Sequence, residues 1–228
     1  MVLAAGLGER MRPLTLTRPK PLLEVGGRAL IDWHLVALAR AGVRDVVINL
    51  SWLGAQIEAH VADGARFGLR VAYSREPAQP LEAGGGIYQA LPLLGREPFL
   101  VVNADVWTDF DVARMVALPD DCDALLVMVQ NPTQHPRGDF FLDSSRSNFS
   151  RIVPQETAVR RTYAGLGVYR PELFTGCTAG RFPLLPLLHR AMAAGRLAAQ
   201  RYDGLWFDIG TPQRLQELDT RLASGANG

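Results

Sequence analysis

Short apolar runs bounded by turn residues alternate with helical patterns along the first half of the chain. The runs have the length and composition of buried parallel strands, and the segments between them carry apolar residues three or four positions apart. The predicted strands are residues 2–5, 46–50, 69–73, 99–103 and 124–129, and the predicted helices are residues 30–41, 55–62 and 86–91. This alternation predicts an α/β fold with a doubly wound, mostly parallel (Rossmann-like) mixed sheet flanked by helices.

The pattern changes after Asn131 to shorter strand-like pieces separated by loops rich in Ser, Arg and Pro. A helix after Thr211 and Pro212 has a suitable N-cap and first-turn proline. The predicted strands are residues 140–142, 152–154 and 163–169, and the predicted helices are residues 111–116, 184–194 and 213–223. No repeat or linker divides the sequence, so we expect one domain over residues 1–228, with halves at 1–130 and 131–228.

The composition excludes several classes of function but does not identify an activity. Lys and Arg number 24 and Asp and Glu 23, so the net charge is +1 and no nucleic-acid partner is expected. No apolar run approaches the ~18 residues of a membrane span, which predicts a cytoplasmic protein that does not enter a membrane. Cys122 and Cys177 are isolated, so neither a zinc site nor a disulfide framework is indicated.

A glycine loop follows the first apolar run, which we expect to be short because only residues 1–3 precede the loop. Gly6 and Gly8 allow phosphate to approach the backbone N–H groups. The loop is not a dinucleotide fingerprint because Met11 replaces the third glycine, and it is not a P-loop because no Gly-Lys-Ser/Thr follows. A Rossmann oxidoreductase would also need an acid closing the next strand, where the chain has Asn49 and Leu50.

Two cations accompany the glycine loop. Arg10 lies inside it, and Lys20 lies between Pro19 and Pro21, which stiffen the backbone. A triphosphate needs such positive charge, although an arbitrary basic cluster is more often a solvated surface loop.

Residues 3–15, LAAGLGERMRPLT, and the following Pro19-Lys20-Pro21 resemble the signature of the nucleotidyltransferases that join a nucleoside triphosphate to a sugar 1-phosphate. The resemblance implies the nucleotide-diphospho-sugar transferase type of fold, with nucleotide bound by residues 1–130 and sugar by residues 131–228. It also implies that Arg10 holds the β and γ phosphates and that Lys20 binds near the α-phosphate and the leaving group. The nucleotide-binding residues expected in the loop are Leu3, Ala4, Ala5, Gly6, Gly8 and Glu9.

Two aspartates stand where apolar strands end. Asp105 follows the strand at 99–103, at the edge where α/β sheets bind ligands, and Asp208 precedes a helix start, where it could instead be a cap. Carboxylate oxygens suit Mg²⁺. The resembling family carries G-D and W-x-D-x-G-T motifs whose aspartates bind the metal, and here only Ala104 departs from them. The resemblance thus implies Mg²⁺ on Asp105 and Asp208, with Arg10, Lys20 and Asp105 as catalytic residues. Asp109 and Asp111 are expected to cap the helix at 111–116.

The segment LEAGGG at 81–86 contains three successive glycines, which suggests a close approach to the backbone. In the resembling family the corresponding segment walls the nucleobase, which implies that Glu82, Gly84 and Gly85 bind the base. A purely structural glycine turn is the alternative. An acceptor such as Glu82 does not distinguish uracil, thymine and guanine, which all offer N–H donors.

The sugar pocket is expected to involve Asn103, Gly138, Asp139 and Gly165. Many relatives carry Glu-Lys-Pro in this half, with the lysine on the sugar phosphate. Here Pro154-Gln155-Glu156 stands instead, and Arg137, Arg160 and Arg161 are possible substitutes, although surface arginines are the simpler interpretation.

A narrower resemblance rests on LEAGGG and on NPxxHPxGDF at 131–140. Both are similar to the N-acetylmuramate α-1-phosphate uridylyltransferases of bacterial cell-wall recycling, which implies UTP and N-acetylmuramate α-1-phosphate as substrates. Alternatives are mannose-1-phosphate guanylyltransferase and glucose-1-phosphate thymidylyl- or uridylyltransferase. A nucleotide-sugar-binding regulatory subunit would be expected to have lost Arg10, Lys20 or an aspartate. We expect a monomer or small homo-oligomer.

Overall fold

The computed structural model describes residues 1–143, 149–154 and 159–225. Its α-helices are α1 (Leu30–Arg40), α2 (Gly54–Val61), α3 (Glu82–Leu94), α4 (Leu185–Ala193) and α5 (Pro212–Gly225). Its strands are β1 (Val2–Leu3), β2 (Glu24–Val25), β3 (Arg28–Ala29), β4 (Asp45–Leu50), β5 (Arg70–Arg75), β6 (Phe99–Asn103), β7 (Val106–Thr108), β8 (Ala124–Val129), β9 (Phe140–Leu142), β10 (Phe149–Val153), β11 (Val159–Tyr169), β12 (Leu197–Arg201) and β13 (Trp206–Asp208).

Nine of the described strands form one mixed sheet in the order β5-β4-β1-β6-β11-β8-β12-β10-β9. The first four are parallel, as predicted. The long strand β11 then lies antiparallel between β6 and β8, so the one parallel neighbour of β8 among the described strands is β12. The predicted α/β fold with a mixed sheet is confirmed, and the parallel part is smaller than expected because β11 returns between two strands of the first half.

Alternate residues of the central strands enter two different cores. Val101 of β6 and Leu126 of β8 pack with α3 and α4, whereas Val102 and Val127 pack with α1 and α2. These four side chains are at most 1% exposed. Burial of each such side chain contributes about 1.5–3 kcal/mol, so both faces of the sheet hold helices against it.

Helix α5 packs on two small two-stranded sheets, β2–β3 and β7–β13, rather than on the main sheet. Ile209, Leu218 and Trp107 form the core of this contact. The Asp219 carboxylate also accepts a hydrogen bond of 2.8 Å from Gly26 N. The end of the chain therefore fixes β13 beside β7, next to the carboxyl end of β6.

Several element boundaries differ from the predictions. Strands β6, β8 and β9 match, and β1 is short as expected. Strand β5 lies at the sheet edge and extends to Arg75, and its residues 70–73 alternate between exposed and half-buried positions. Helix α3 begins at Glu82 rather than residue 86, and β11 begins at Val159 rather than residue 163.

The predicted helix at 111–116 is wrong. The chain makes only a 3₁₀ turn, Val112–Arg114, which Asp111 caps by accepting a 3.1 Å hydrogen bond from Ala113 N. Asp109 does not cap this turn, because its carboxylate accepts hydrogen bonds from Leu205 N and the Tyr202 hydroxyl. In the part of the chain that the structure describes, we find no helix with the length and apolarity to cross a membrane.

Candidate active site

The glycine loop leaves β1 and enters a 3₁₀ turn at Glu9–Met11. Gly8 has a φ of 63°, and a Cβ there would lie 2.8 Å from Thr15 Cγ2, so both the backbone and the packing require glycine. Thr15 Oγ1 donates to Gly8 O at 2.8 Å and holds the turn. A Cβ on Gly6 would meet no atom within 4 Å, so the missing side chain keeps the space above the loop open.

Lys20 and Asp105 are 85 residues apart in sequence and are paired in the structure. Lys20 lies in a 3₁₀ turn, Lys20–Leu22, and its side chain is only 9% exposed. Its Nζ donates to Asp105 Oδ2 at 2.8 Å. The nearly buried ammonium therefore stands directly beside the carboxylate that follows β6.

Asp208 lies next to Asp105 because β13 pairs antiparallel with β7, and Ile209 N donates to Asp105 O at 2.9 Å. The Asp208 carboxylate accepts a 2.6 Å hydrogen bond from Arg214 Nη1. The buried His34 side chain also contacts this part of the structure. Burial lowers the pKa of His34 to about 4, so the ring is neutral, and its Nε2–H donates to Val106 O at 2.8 Å. Both predicted metal carboxylates thus share one edge of the sheet, each paired with a cation.

A cleft of about 630 Å³ opens above this edge and the glycine loop. A second cavity of about 200 Å³ adjoins it, shares Asn103 and Asp105 with it, and is also lined by Gly165 and Asp208. The predicted nucleotide-binding and catalytic residues that line the larger cleft are Leu3, Ala4, Ala5, Gly6, Gly8, Glu9, Arg10, Lys20, Glu82 and Asp105. The structure therefore brings most of the predicted nucleotide-binding and catalytic residues to one surface.

The three successive glycines at 84–86, of which Gly84 and Gly85 are predicted to bind the base, lie inside the first turns of α3. A Cβ on Gly84 would lie 2.6 Å from Phe182 Cδ2, and one on Gly85 would lie 2.2 Å from Gly180 O. A Cβ on Gly86 would lie 2.4 Å from Glu76 Oε1. Protein atoms rather than a ligand thus explain the missing side chains. Contacts of Gly84 and Gly85 with a nucleobase remain a prediction.

Glu82 faces the cleft at the start of α3. Its carboxylate forms a 2.9 Å ion pair with Arg181 Nη2, and Arg181 also lines the cleft. Arg181 was not predicted, because it lies in an irregular segment about a hundred residues from Glu82.

A largely buried hydrogen-bond chain that was not predicted from the sequence joins the glycine loop to α3. Asn49 Oδ1 accepts from Ala4 N at 2.7 Å, and Asn49 Nδ2 donates to Glu76 Oε1 at 2.6 Å. Glu76 Oε2 then accepts from Leu81 N at 2.7 Å. Asn49 and Glu76 stand where two neighbouring parallel strands end, which is the one sequence signal that could have found them.

Two of the four predicted sugar residues line the smaller cavity. Gly165 has a φ of 77° at an irregularity in β11, and a Cβ there would lie 3.0 Å from Asn103 Nδ2. Tyr163 and Trp206 complete this wall. The indole Nε1 of Trp206 donates to Ala164 O at 2.8 Å, which fixes the ring.

The other two, Gly138 and Asp139, do not line either cavity among the described residues. Gly138 has a φ of 61°, and a Cβ there would lie 2.4 Å from Asn131 Oδ1. Asp139 accepts hydrogen bonds from Tyr163 N at 2.8 Å and from His135 Nε2 at 2.9 Å. Both residues therefore lie behind the cavity wall and hold it in place.

None of the three arginines considered for the sugar phosphate lines a cavity in the described part of the chain. Arg161 is paired with Asp203 at 2.6 Å, and the guanidinium of Arg160 lies over the Phe141 ring. Arg137 is exposed. Gln155 and Glu156, where the resemblance led us to look for a lysine, lie outside the described residues.

The family model described as "Nucleotidyl transferase" matches residues 1–140. The chain belongs to the nucleotidyl transferase family. This nucleotidyl transferase is 50% identical over 225 residues to an N-acetylmuramate alpha-1-phosphate uridylyltransferase of Neisseria meningitidis, with 95% of each chain covered. It is 39% identical over 234 residues to a protein of the same name from Caulobacter vibrioides, covering 98% of this chain and 96% of that protein.

The fold of this nucleotidyl transferase is also found in a solved structure of UDP-glucose pyrophosphorylase complexed with UDP-glucose. The TM-score is 0.79 at 19% sequence identity, and the match covers 98% of this chain and 97% of that chain. The predicted family and the predicted type of fold are confirmed, and the chain is a nucleotidyltransferase enzyme.

Proposed function

We propose that the chain transfers a uridylyl group from UTP to N-acetylmuramate α-1-phosphate, giving UDP-N-acetylmuramate and pyrophosphate. The observation that carries the reaction type is the ion pair of 2.8 Å between Lys20 Nζ and Asp105 Oδ2 in the cleft beside the glycine loop. The choice of UTP and N-acetylmuramate rests on the names of the relatives at 50% and 39% identity. Because UTP is a cytoplasmic metabolite, we place the reaction in the cytoplasm, in the recycling of cell-wall sugars.

The proposed chemistry is an in-line displacement at the α-phosphorus of UTP. An anionic oxygen of the sugar phosphate forms the new P–O bond, and the bond from the α-phosphorus to the bridging oxygen breaks, with its electron pair leaving on pyrophosphate. No general base is needed, because a phosphate monoester is already ionised near neutral pH. Lys20 stabilises charge at the α-phosphate, and Arg10 and the loop N–H groups hold the β and γ phosphates.

Asp105 and Asp208 would hold Mg²⁺, and the donor set fits this ion. The two carboxylates are neighbours and offer hard oxygen ligands, while the described residues contain no group of three or more metal-type side chains. Mg²⁺ commonly takes one or two protein carboxylates and completes its shell with water and phosphate oxygens. When bound, it would neutralise phosphate charge. Lys20 and Arg214 form ion pairs with the same carboxylates.

The sugar would occupy the smaller cavity, which adjoins the cleft at Asn103 and Asp105. This placement puts the attacking phosphate between the two cavities, next to Lys20. Gly165 keeps room beside Asn103, and Gly138 and Asp139 act indirectly through His135 and Tyr163.

A substrate panel tests the proposed specificity. Pyrophosphate release would be measured with Mg²⁺ for UTP, dTTP and GTP, each paired with the 1-phosphates of N-acetylmuramate, N-acetylglucosamine, glucose and mannose. We expect kcat/KM to be at least about tenfold higher for UTP with N-acetylmuramate 1-phosphate than for any other pair. A preference for GTP with mannose 1-phosphate would contradict the proposed substrates. Absence of turnover with every pair would favour a regulatory, non-catalytic role.

A further inference from the structure

Arg214 of α5 has no role in the chemistry described above, yet it is held at the edge of the site. Its side chain is 18% exposed, and its Nη1 donates to Asp208 Oδ2 at 2.6 Å. The Thr211 hydroxyl lies 3.4 Å from its Nε, which restricts the guanidinium further. Arg214 is therefore a fixed, largely buried cation next to a proposed metal ligand.

The other edge of the Arg214 guanidinium approaches Arg10 above Gly210. The position that a Cβ on Gly210 would occupy lies 2.6 Å from Arg214 Nη2 and 3.2 Å from Arg10 Nη1. Gly210 and Arg10 both line the large cleft, whereas Arg214 lines neither cavity among the described residues and comes to this edge of the site only beside Gly210. Any side chain at position 210 would stand between the two guanidiniums, so the glycine permits them to converge.

Of the two guanidiniums that converge here, one is paired with a carboxylate among the described residues and the other is not. Asp208 offsets the charge of Arg214, but Arg10 is exposed and has no ion-pair partner in the part of the chain that the structure describes. Two guanidiniums that approach the same point repel each other, and an anion placed between them would remove that cost. Planar guanidinium groups are suited to phosphate oxygens because they donate paired hydrogen bonds.

We infer that Arg10 and Arg214 together form a pyrophosphate subsite, which binds the β and γ phosphates of the nucleoside triphosphate and the pyrophosphate that leaves. The inference rests on the proposed function and assigns a second arginine to its leaving group. One edge of Arg214 holds Asp208 and the other meets the phosphates, so the residue links the proposed metal carboxylate to the leaving group. From the sequence, Arg214 is predicted only to lie in the helix that follows Thr211 and Pro212.

Titration calorimetry of the full chain with pyrophosphate in EDTA tests this subsite without metal or turnover. We expect Arg214→Gln to weaken pyrophosphate binding by about tenfold to a hundredfold, the loss typical of a charge-assisted contact. Arg214→Lys keeps the charge and loses the paired donors, so an intermediate loss is expected. The matched control is Arg221→Gln. Arg221 lies on the same helix, and its guanidinium lies 5.7 Å from the Phe207 ring centroid. Its Kd should stay within about twofold of wild type, as surface changes usually do.

A double variant separates direct contact from simple neutralisation of Asp208. If Arg214 contacts the anion, Asp208→Asn/Arg214→Gln binds pyrophosphate at least about tenfold more weakly than Asp208→Asn alone. Equal affinity of these two variants would overturn the inference, because Arg214 would then act only through Asp208. Wild-type protein that turns over UTP in the substrate panel but does not bind pyrophosphate would also overturn it, while leaving the proposed function in place. Thermal unfolding of each variant checks that it folds.

Discussion

Replacing Asp105 by asparagine is expected to lower kcat for pyrophosphate release by about 10³-fold, at saturating UTP, sugar 1-phosphate and Mg²⁺. The amide preserves the shape of the side chain and can still accept a hydrogen bond from Lys20. It removes the charge that pairs with Lys20 at 2.8 Å and that would hold the metal. The loss should therefore appear in kcat, while the thermal unfolding temperature changes little, because the Asp105 side chain is 39% exposed.

The matched control for this change is Asp111→Asn. Asp111 is also exposed, and its role is to cap a 3₁₀ turn, which asparagine can do equally well. Its kcat should remain within about twofold of wild type. Near-normal turnover of Asp105→Asn would contradict the assignment of Asp105 to the catalytic machinery.

Replacing Lys20 by methionine is expected to lower kcat/KM by about 10²- to 10³-fold. Methionine fills a similar volume without the charge, so the change removes the cation nearest the α-phosphate in the proposed complex. Because the Lys20 side chain is only 9% exposed, a cation from the solvent cannot easily take the place of its ammonium group. Steady-state kinetics at varied UTP measures the effect.

Arg18→Gln provides the control for the loss of positive charge in the same loop. Arg18 is exposed and forms a 3.1 Å ion pair with Glu24 at the surface, a kind of contact that contributes little. Its kcat/KM should stay within about twofold of wild type. If Lys20→Met kept more than about a third of wild-type kcat/KM, Lys20 would not stabilise the transition state as proposed.

The strands that the sequence predicted best lie in the middle of the main sheet, and most of their residues are buried. Residues 99–103 and 124–129 are continuous apolar runs ended by polar or turn residues, and the structure has the same bounds. The start of α3 was missed because Gly84, Gly85 and Gly86 disfavour helix on intrinsic propensity. There the close approach of segment 180–182 requires glycine within the helix, and tertiary packing overrides the local preference.

The residues of the site were predicted where a short sequence motif contains them and were missed where segments distant in sequence come together. The glycine loop, Lys20 and Asp105 were predicted because each belongs to a compact motif, and the cleft brings them together. Asn49 with Glu76 and Glu82 with Arg181 were not, because these contacts join segments that only the folded chain places side by side. Gly138 and Asp139 belong to the motif at 131–140 but support the cavity from behind, which no spacing in the sequence reveals.

The central claim is that the bond broken lies between the α and β phosphates of the triphosphate, and phosphorus labelling tests it most directly. The purified chain would be incubated with Mg²⁺, N-acetylmuramate 1-phosphate and UTP that carries ³²P at either the α or the γ position. We expect that α label enters the nucleotide sugar, that γ label appears only in pyrophosphate, and that both depend on the sugar phosphate. Transfer of γ label to the sugar, or release of α label as UMP without the sugar phosphate, would contradict it.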